Sequence, residues 1–182
     1  MNTPIFPFSA GQPVRQESVK LNTLTENLAF GFATLVFGIM AGFFWTYSFN
    51  VNWAMLEVSG ETYATVQSLF NENVRHGYFF FFFFGGGFFP LLALLVNRRH
   101  WSTLAFWLVV AAALIYIFGV IVFTQQVNLP LNYTTEGWDP QNLPADWTVI
   151  RDRWNAANNI RVGTAGSAFA LSLLALVLRA TR

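Results

Sequence analysis

Four stretches of this chain, at about 28–49, 77–96, 103–123 and 162–178, are apolar along almost their whole length, and none has an acid or base in its middle. A helix needs roughly 20 such residues to cross the hydrocarbon of a bilayer. Backbone groups in lipid find no water, so a spanning segment must satisfy its own hydrogen bonds, which a helix does. The chain carries only 10% charged residues, against about 25% in an ordinary soluble domain. Four such segments in 182 residues are rarely found in a soluble core. The expected fold is therefore all-α: an integral membrane four-transmembrane-helix bundle in a lipid bilayer. Residues 1–27 read as a polar N-terminal tail, and 28–182 as the transmembrane domain.

What is missing narrows the chemistry. There is no cysteine, which excludes disulfides, thiolate metal sites, Cys-ligated iron–sulfur clusters and Cys nucleophiles. The net charge is +1 with the basic residues scattered, so nucleic acid is not an expected partner. Only His76 and His100 exist. They fall at opposite ends of the second span, and no His/carboxylate set has ligand spacing. No metal site, no His-ligated haem and no other cofactor is expected. The first 27 residues hold three prolines and no apolar run, and their first basic residue is Arg15, which does not read as a signal peptide.

Arg15, Lys20, Arg98, Arg99, Arg179 and Arg182 flank the spans on one side; Arg75, Arg151, Arg153 and Arg161 lie on the other. The excess of six over four predicts a multi-pass cell-membrane protein with both termini cytoplasmic.

The loops on the other side carry helical patterns of their own. Val66, Leu69, Phe70 and Val74 recur at helical spacing after the start signal Ser59-Gly60, and this segment is expected to run on into the second span. Pro144 and Asp146 suit a helix start, after which Trp147, Ile150, Trp154, Asn158 and Arg161 share one face. At about 1.5 Å per residue, the stretch 145–178 is some 50 Å long, more than the hydrocarbon needs. These extensions of spans 2 and 4 are expected to pack together as a small extracytoplasmic cap. A turn-rich stretch, 128–140, joins them to the third span. The run Phe79 to Phe84 reads as lipid-facing bulk, and Gly85, Gly86 and Gly87 as a place where another helix comes close.

Three blocks resemble the anthrone-oxygenase-like family of small four-span membrane proteins. The first runs from Gly38-Ile-Met-Ala-Gly42 through Ser48 to Ala54-Met55-Leu56. The second is Val66, Gln67 and Asn71 through Arg75, followed by an apolar span. The third joins Val127-Asn128-Leu129-Pro130-Leu131-Asn132 to Arg153, Trp154, Asn158 and Arg161. The resemblance implies a four-span fold. In named members it implies conversion of an anthrone to an anthraquinone by molecular oxygen without a cofactor.

The residues themselves allow a site of that kind. Gln67, Asn71 and Arg75 are four apart on one helix face, and Trp154, Asn158 and Arg161 share another. If the faces meet, with Asn128 and Asn132 nearby, they line a pocket for a flat, apolar, phenolic or quinone-like small-molecule ligand from the bilayer. His76 is the first candidate for the base and Glu72 the second. Arg161, with Asn158 and Asn128, would hold a developing oxyanion. Blander roles stay open for the same residues. Arg161 could pair with Asp152 or a lipid headgroup, and Asn128 and Asn132 could serve a turn around Pro130. Trp138, Trp147 and Trp154 could form an interfacial belt, and His76 could be merely solvated. A non-catalytic role is the alternative function: a small subunit of a larger membrane complex, or a homo-oligomer. A pocket filled by Trp154 and Phe70 would favour it. No span is interrupted by a charge at mid-membrane, which argues against an ion-coupled carrier.

Overall fold

The computed structural model describes residues 12–181, with side chains from Thr23 onward. Among these residues every element is helical. The first, α1, starts at Gln12, so part of the polar tail is already helix. Its membrane-length part is Thr23–Leu56. The short α2 (Gly60–Asn73) follows, then α3 (Gly77–Val96), α4 (Leu104–Glu136) and α5 (Trp147–Ala180). Four of the five are long and apolar enough to cross a membrane. Large apolar side chains such as Phe81, Phe84, Phe88, Leu91 and Leu95 stand exposed on α3. A lipid bilayer is the environment that such a surface requires.

The four long helices form a ring in which α1 packs on α3 and α5, and α4 packs on the same two. Phe37, Met40, Phe44, Phe83, Tyr116, Val120 and Ala165 fill one half of the interior. Phe30, Ala33, Ala93, Val109 and Ala175 fill the other. Small residues set the spacing, as expected where lipid offers helices no hydrophobic reason to associate. A Cβ at Gly86 would overlap the Tyr116 ring, and one at Gly119 would lie 2.6 Å from Thr164. Tyr116 donates from its hydroxyl to the Phe83 carbonyl (3.1 Å), and Thr34 meets Ser172 across the α1–α5 contact (2.6 Å). The glycine run thus serves a close approach within this chain, that of α4.

Two expectations about the connections are corrected. The segment before the second span does not continue into it: α2 ends at Asn73 and α3 begins after His76. His76 is extended (φ −123°, ψ 164°) and its Nδ1 accepts the Phe79 N–H at 3.3 Å. It is an N-cap that restarts the chain as a new helix. Nor is 128–136 a turn. The third span runs on as helix to Glu136 through π-helical turns at Ile117–Val122 and Thr124–Asn128. Pro130 falls in the first turn after the second of these, a position that tolerates its missing N–H. The π-helical turns add a residue each and let the helix change phase without breaking.

At one end of the bundle the α3 terminus and the adjoining 3₁₀ turn (Arg98–His100) meet α1 and α5. Arg179 donates to Asn97 Oδ1 (2.6 Å), Asn27 Oδ1 (2.9 Å) and Glu26 Oε2 (3.2 Å). Glu26 also meets His100 Nε2 at 2.9 Å, and the fully buried Asn97 amide donates to the Glu26 and Ala93 carbonyls. At the opposite end, α2 packs against the last turns of α4 and the start of α5. Tyr63 is buried there, with its ring 5.7 Å from Trp147 and 6.4 Å from Trp138. Burial pushes its phenol above the usual range, and its hydroxyl has no partner among the described residues.

Candidate functional site

Below α2 the helices part around a cavity of about 900 Å³. Its walls divide by chemistry. The start of α3 gives Phe79, Phe80, Phe83 and Phe84, and α1 gives Ile39, Gly42, Phe43, Thr46 and Tyr47. Thr124, Asn132 and Tyr133 come from α4; Trp154, Asn158 and Arg161 from α5; Phe70, Asn71, Arg75 and His76 from α2 and the turn after it. The cavity is therefore apolar on one side and carries amides, hydroxyls and one deeply buried cation on the other.

That cation is Arg161. Asn158 Oδ1 accepts from its Nη2 at 2.7 Å, and Thr124 Oγ1 lies at the limit, 3.5 Å from Nη1. Its guanidinium lies 4.7 Å from the Phe44 ring centroid and 5.5 Å from that of Trp154. Nε has no partner, and no carboxylate pairs with the group among the described residues. Asp152 pairs instead with its neighbour Arg151 (2.9 Å). The Asn158 amide donates to Ser48 Oγ (2.7 Å) and to the Phe44 carbonyl (3.2 Å). Those bonds leave Asn158 Oδ1 aimed at Arg161.

A second chain of bonds crosses the roof. The Tyr47 hydroxyl donates to Gln67 Oε1 (2.5 Å), Gln67 Nε2 to Asn71 Oδ1 (3.2 Å), and Asn71 Nδ2 to Thr135 Oγ1 (3.1 Å). Thr135 in turn donates to the Asn132 carbonyl, while Asn132 Oδ1 accepts from Trp154 Nε1 at 2.6 Å. Both faces anticipated from the spacing of α2 and α5 thus reach one network.

Six of the eight expected site residues line the cavity: His76, Asn71, Asn132, Trp154, Asn158 and Arg161. Gln67 stands behind the wall and holds Tyr47 and Asn71. Asn128 is fully buried with neither side-chain polar atom partnered, and it is not part of the wall. Glu72 is exposed, meets Ser68, and also lies outside the wall. His76 sits at the rim. With Nδ1 accepting from Phe79, the neutral ring keeps its proton on Nε2, so His76 takes a second proton only by giving up the cap. Thr124, Tyr133 and Thr135 were not anticipated. With Asn128 and Asn132, Thr124 and Thr135 form a polar stripe at spacings of four, four and three. That signal becomes visible once 124–136 is taken as helix. No group of acids and histidines among the described residues could hold a metal ion.

The profile of the family described as Anthrone oxygenase matches residues 78–171. No curated protein and no solved structure matches the chain. The matched region takes in most of α3, all of α4 and α5 through Arg161 to Leu171, and it covers more than half of the 182 residues. The chain belongs to the anthrone oxygenase family.

Proposed function

We propose that the cavity binds a flat apolar phenolic or quinone-like molecule as its anion and exposes it to molecular oxygen without a cofactor. The observation that carries this reading is Arg161, a buried cation with no carboxylate partner at the polar end of an otherwise apolar chamber. A buried charge is costly unless an opposite charge meets it, and a phenolate or enolate oxygen supplies one. Nearby positive charge favours the ionised form of an acid, so Arg161 and Asn158 would make the ligand itself more acidic. The Phe79, Phe80, Phe83 and Phe84 rings offer flat apolar surface for its body.

The chemistry then needs little from the protein. A methylene beside the phenolic ring system loses one proton, which leaves through water at the rim of the cavity beside His76. The carbanion gives one electron to oxygen, and the resulting radical and superoxide join in a C–O bond. The peroxide takes up a proton. Loss of the second methylene proton with O–O cleavage releases water and leaves a carbonyl. The sum is R₂CH₂ + O₂ → R₂C=O + H₂O, with oxygen as the oxidant. Arg161 holds the oxyanion through these steps.

The test is oxygen uptake by the purified protein in nanodiscs supplied with anthrone. One oxygen consumed per anthraquinone formed, faster than in empty nanodiscs, is expected. A rate equal to that of empty nanodiscs would overturn the oxygenase reading. The orientation follows from the basic residues beside the spans. A reporter active only in the cytoplasm should signal when fused after Arg182 and stay silent when inserted near Glu136; equal signals would reverse that inference.

A further inference from the structure

The cavity has two possible approaches, and they differ in which solvent they face. From the α2 end the way is crossed by the ion pair between Arg75 and Glu136, with the Arg75 guanidinium 5.8 Å from the Tyr133 ring centroid. The second approach is the flank between α1 and α3. Gly42, Phe43 and Thr46 line the cavity there and are exposed. Phe43 and Phe79 meet across this flank, rings 5.3 Å apart, as its one aromatic contact at that level.

The level of the flank in the bilayer can be measured along the helices. The Glu26–Asn97–Arg179 cluster marks one polar boundary. Gly42 lies sixteen positions beyond Glu26, roughly 24 Å along α1. Arg161 lies eighteen positions from Arg179, roughly 27 Å along α5. Hydrocarbon is about 30 Å thick. The flank therefore opens onto lipid tails, and Arg161 stands near the far boundary, where an anionic head belongs.

Gly42 lines the cavity on that flank without a side chain. A Cβ built on it meets nothing within 4 Å, so a side chain there strains no neighbour and takes up open space at the flank.

We infer that the phenolate enters sideways from the bilayer, between α1 and α3, and that Gly42 sets the width of the ring system that passes. This inference rests on the proposed ligand class, and the test separates the two. Association of 2-naphthol and of 2-anthrol with the protein in nanodiscs is followed by their fluorescence, for wild type, Gly42→Leu, Gly42→Phe and Glu136→Gln. Gly42→Phe should slow association of the three-ring probe at least tenfold and of the two-ring probe less than threefold. Gly42→Leu should fall between, with melting unchanged for both variants. Glu136→Gln, which loosens only the aqueous side, should leave both rates as they are. Wild-type binding of both probes with no effect of either Gly42 variant would overturn the lateral route, as would acceleration by Glu136→Gln. Failure of wild type to bind either probe would remove the ligand reading itself, and this inference with it.

Discussion

Replacing Arg161 by Met should cost the protein little stability and most of its affinity for a phenolate. The terms can be set against each other. The hydrogen bond to Asn158 at 2.7 Å is worth about 1.5–3 kcal/mol for a charged donor. The contact to Thr124 at 3.5 Å adds almost nothing. The faces of Phe44 and Trp154 add roughly 0.5–2 kcal/mol each. Opposing them is the cost of holding a guanidinium out of water, several kcal/mol in a protein interior. The two sides nearly cancel, and Met preserves much of the volume. Arg161→Met should therefore shift stability by less than about 2 kcal/mol in either direction. Binding is different, because the ligand's oxyanion loses one charge-assisted bond, about 1.5–3 kcal/mol, or about 10- to 150-fold in affinity. Arg161→Lys keeps the charge and loses the planar fork, so its loss should be smaller. Melting followed by intrinsic tryptophan fluorescence in nanodiscs and a 2-naphthol titration read the two quantities separately. A variant that loses more than about 4 kcal/mol yet binds the probe as wild type does would make Arg161 a structural residue and refute this reasoning.

Trp154→Ala should destabilise the fold by about 3–5 kcal/mol, since the ring is 5% exposed and its Nε1 is held by Asn132; a melting curve like that of wild type would show the ring to be dispensable. Gly86→Ala should cost about 1–3 kcal/mol through overpacking against Tyr116, and pairing it with Tyr116→Leu should recover part of that loss in the same melting assay. Tyr63→Phe removes a buried hydroxyl without a partner and should raise stability by about 1 kcal/mol. Because burial raises the folded-state phenol above its unfolded value, wild-type stability should hold below the ordinary phenol pKa of about 10 and fall as pH climbs past it. Tyr63→Phe should flatten that fall, and identical pH profiles would show that Tyr63 does not cause it.

The four spans were legible because lipid imposes one rule on every residue of a crossing, and residues 77–96 obey it without exception. The extra helix before the second span was legible too, from Ser59 and the spacing of Val66, Leu69 and Phe70; Ser59 does accept the Thr62 N–H at 3.2 Å. The break after it was not. Histidine is not among the strong capping residues, so nothing in Val74-Arg75-His76 marks the helix restart that His76 supplies. The continuation of the third span was hidden for a related reason. Pro130 between two asparagines has the composition of a turn, and only the π-helical turn before it makes room for helix. Hidden with it was the polar stripe Thr124, Asn128, Asn132 and Thr135.

The candidate site was legible where its residues share a helix and obscure where they do not. Arg161 and Asn158 were found because they are three apart on one face, and their mutual bond is local. What fixes them is remote. Ser48 and the Phe44 carbonyl on α1 take the Asn158 amide, and they do so where α1 enters its own π-helical turn at Tyr47. An α-helix that kept its phase there would turn either Tyr47 or Ser48 away from its partner. The widened turn lets Tyr47 reach Gln67 on α2 while Ser48 meets Asn158 on α5. Such a turn depends on packing from both neighbours, and it gives each amide a single orientation. It joins the roof of the cavity to the floor on which Arg161 stands, so a change at Gln67 should be felt at the guanidinium although the two residues share no bond.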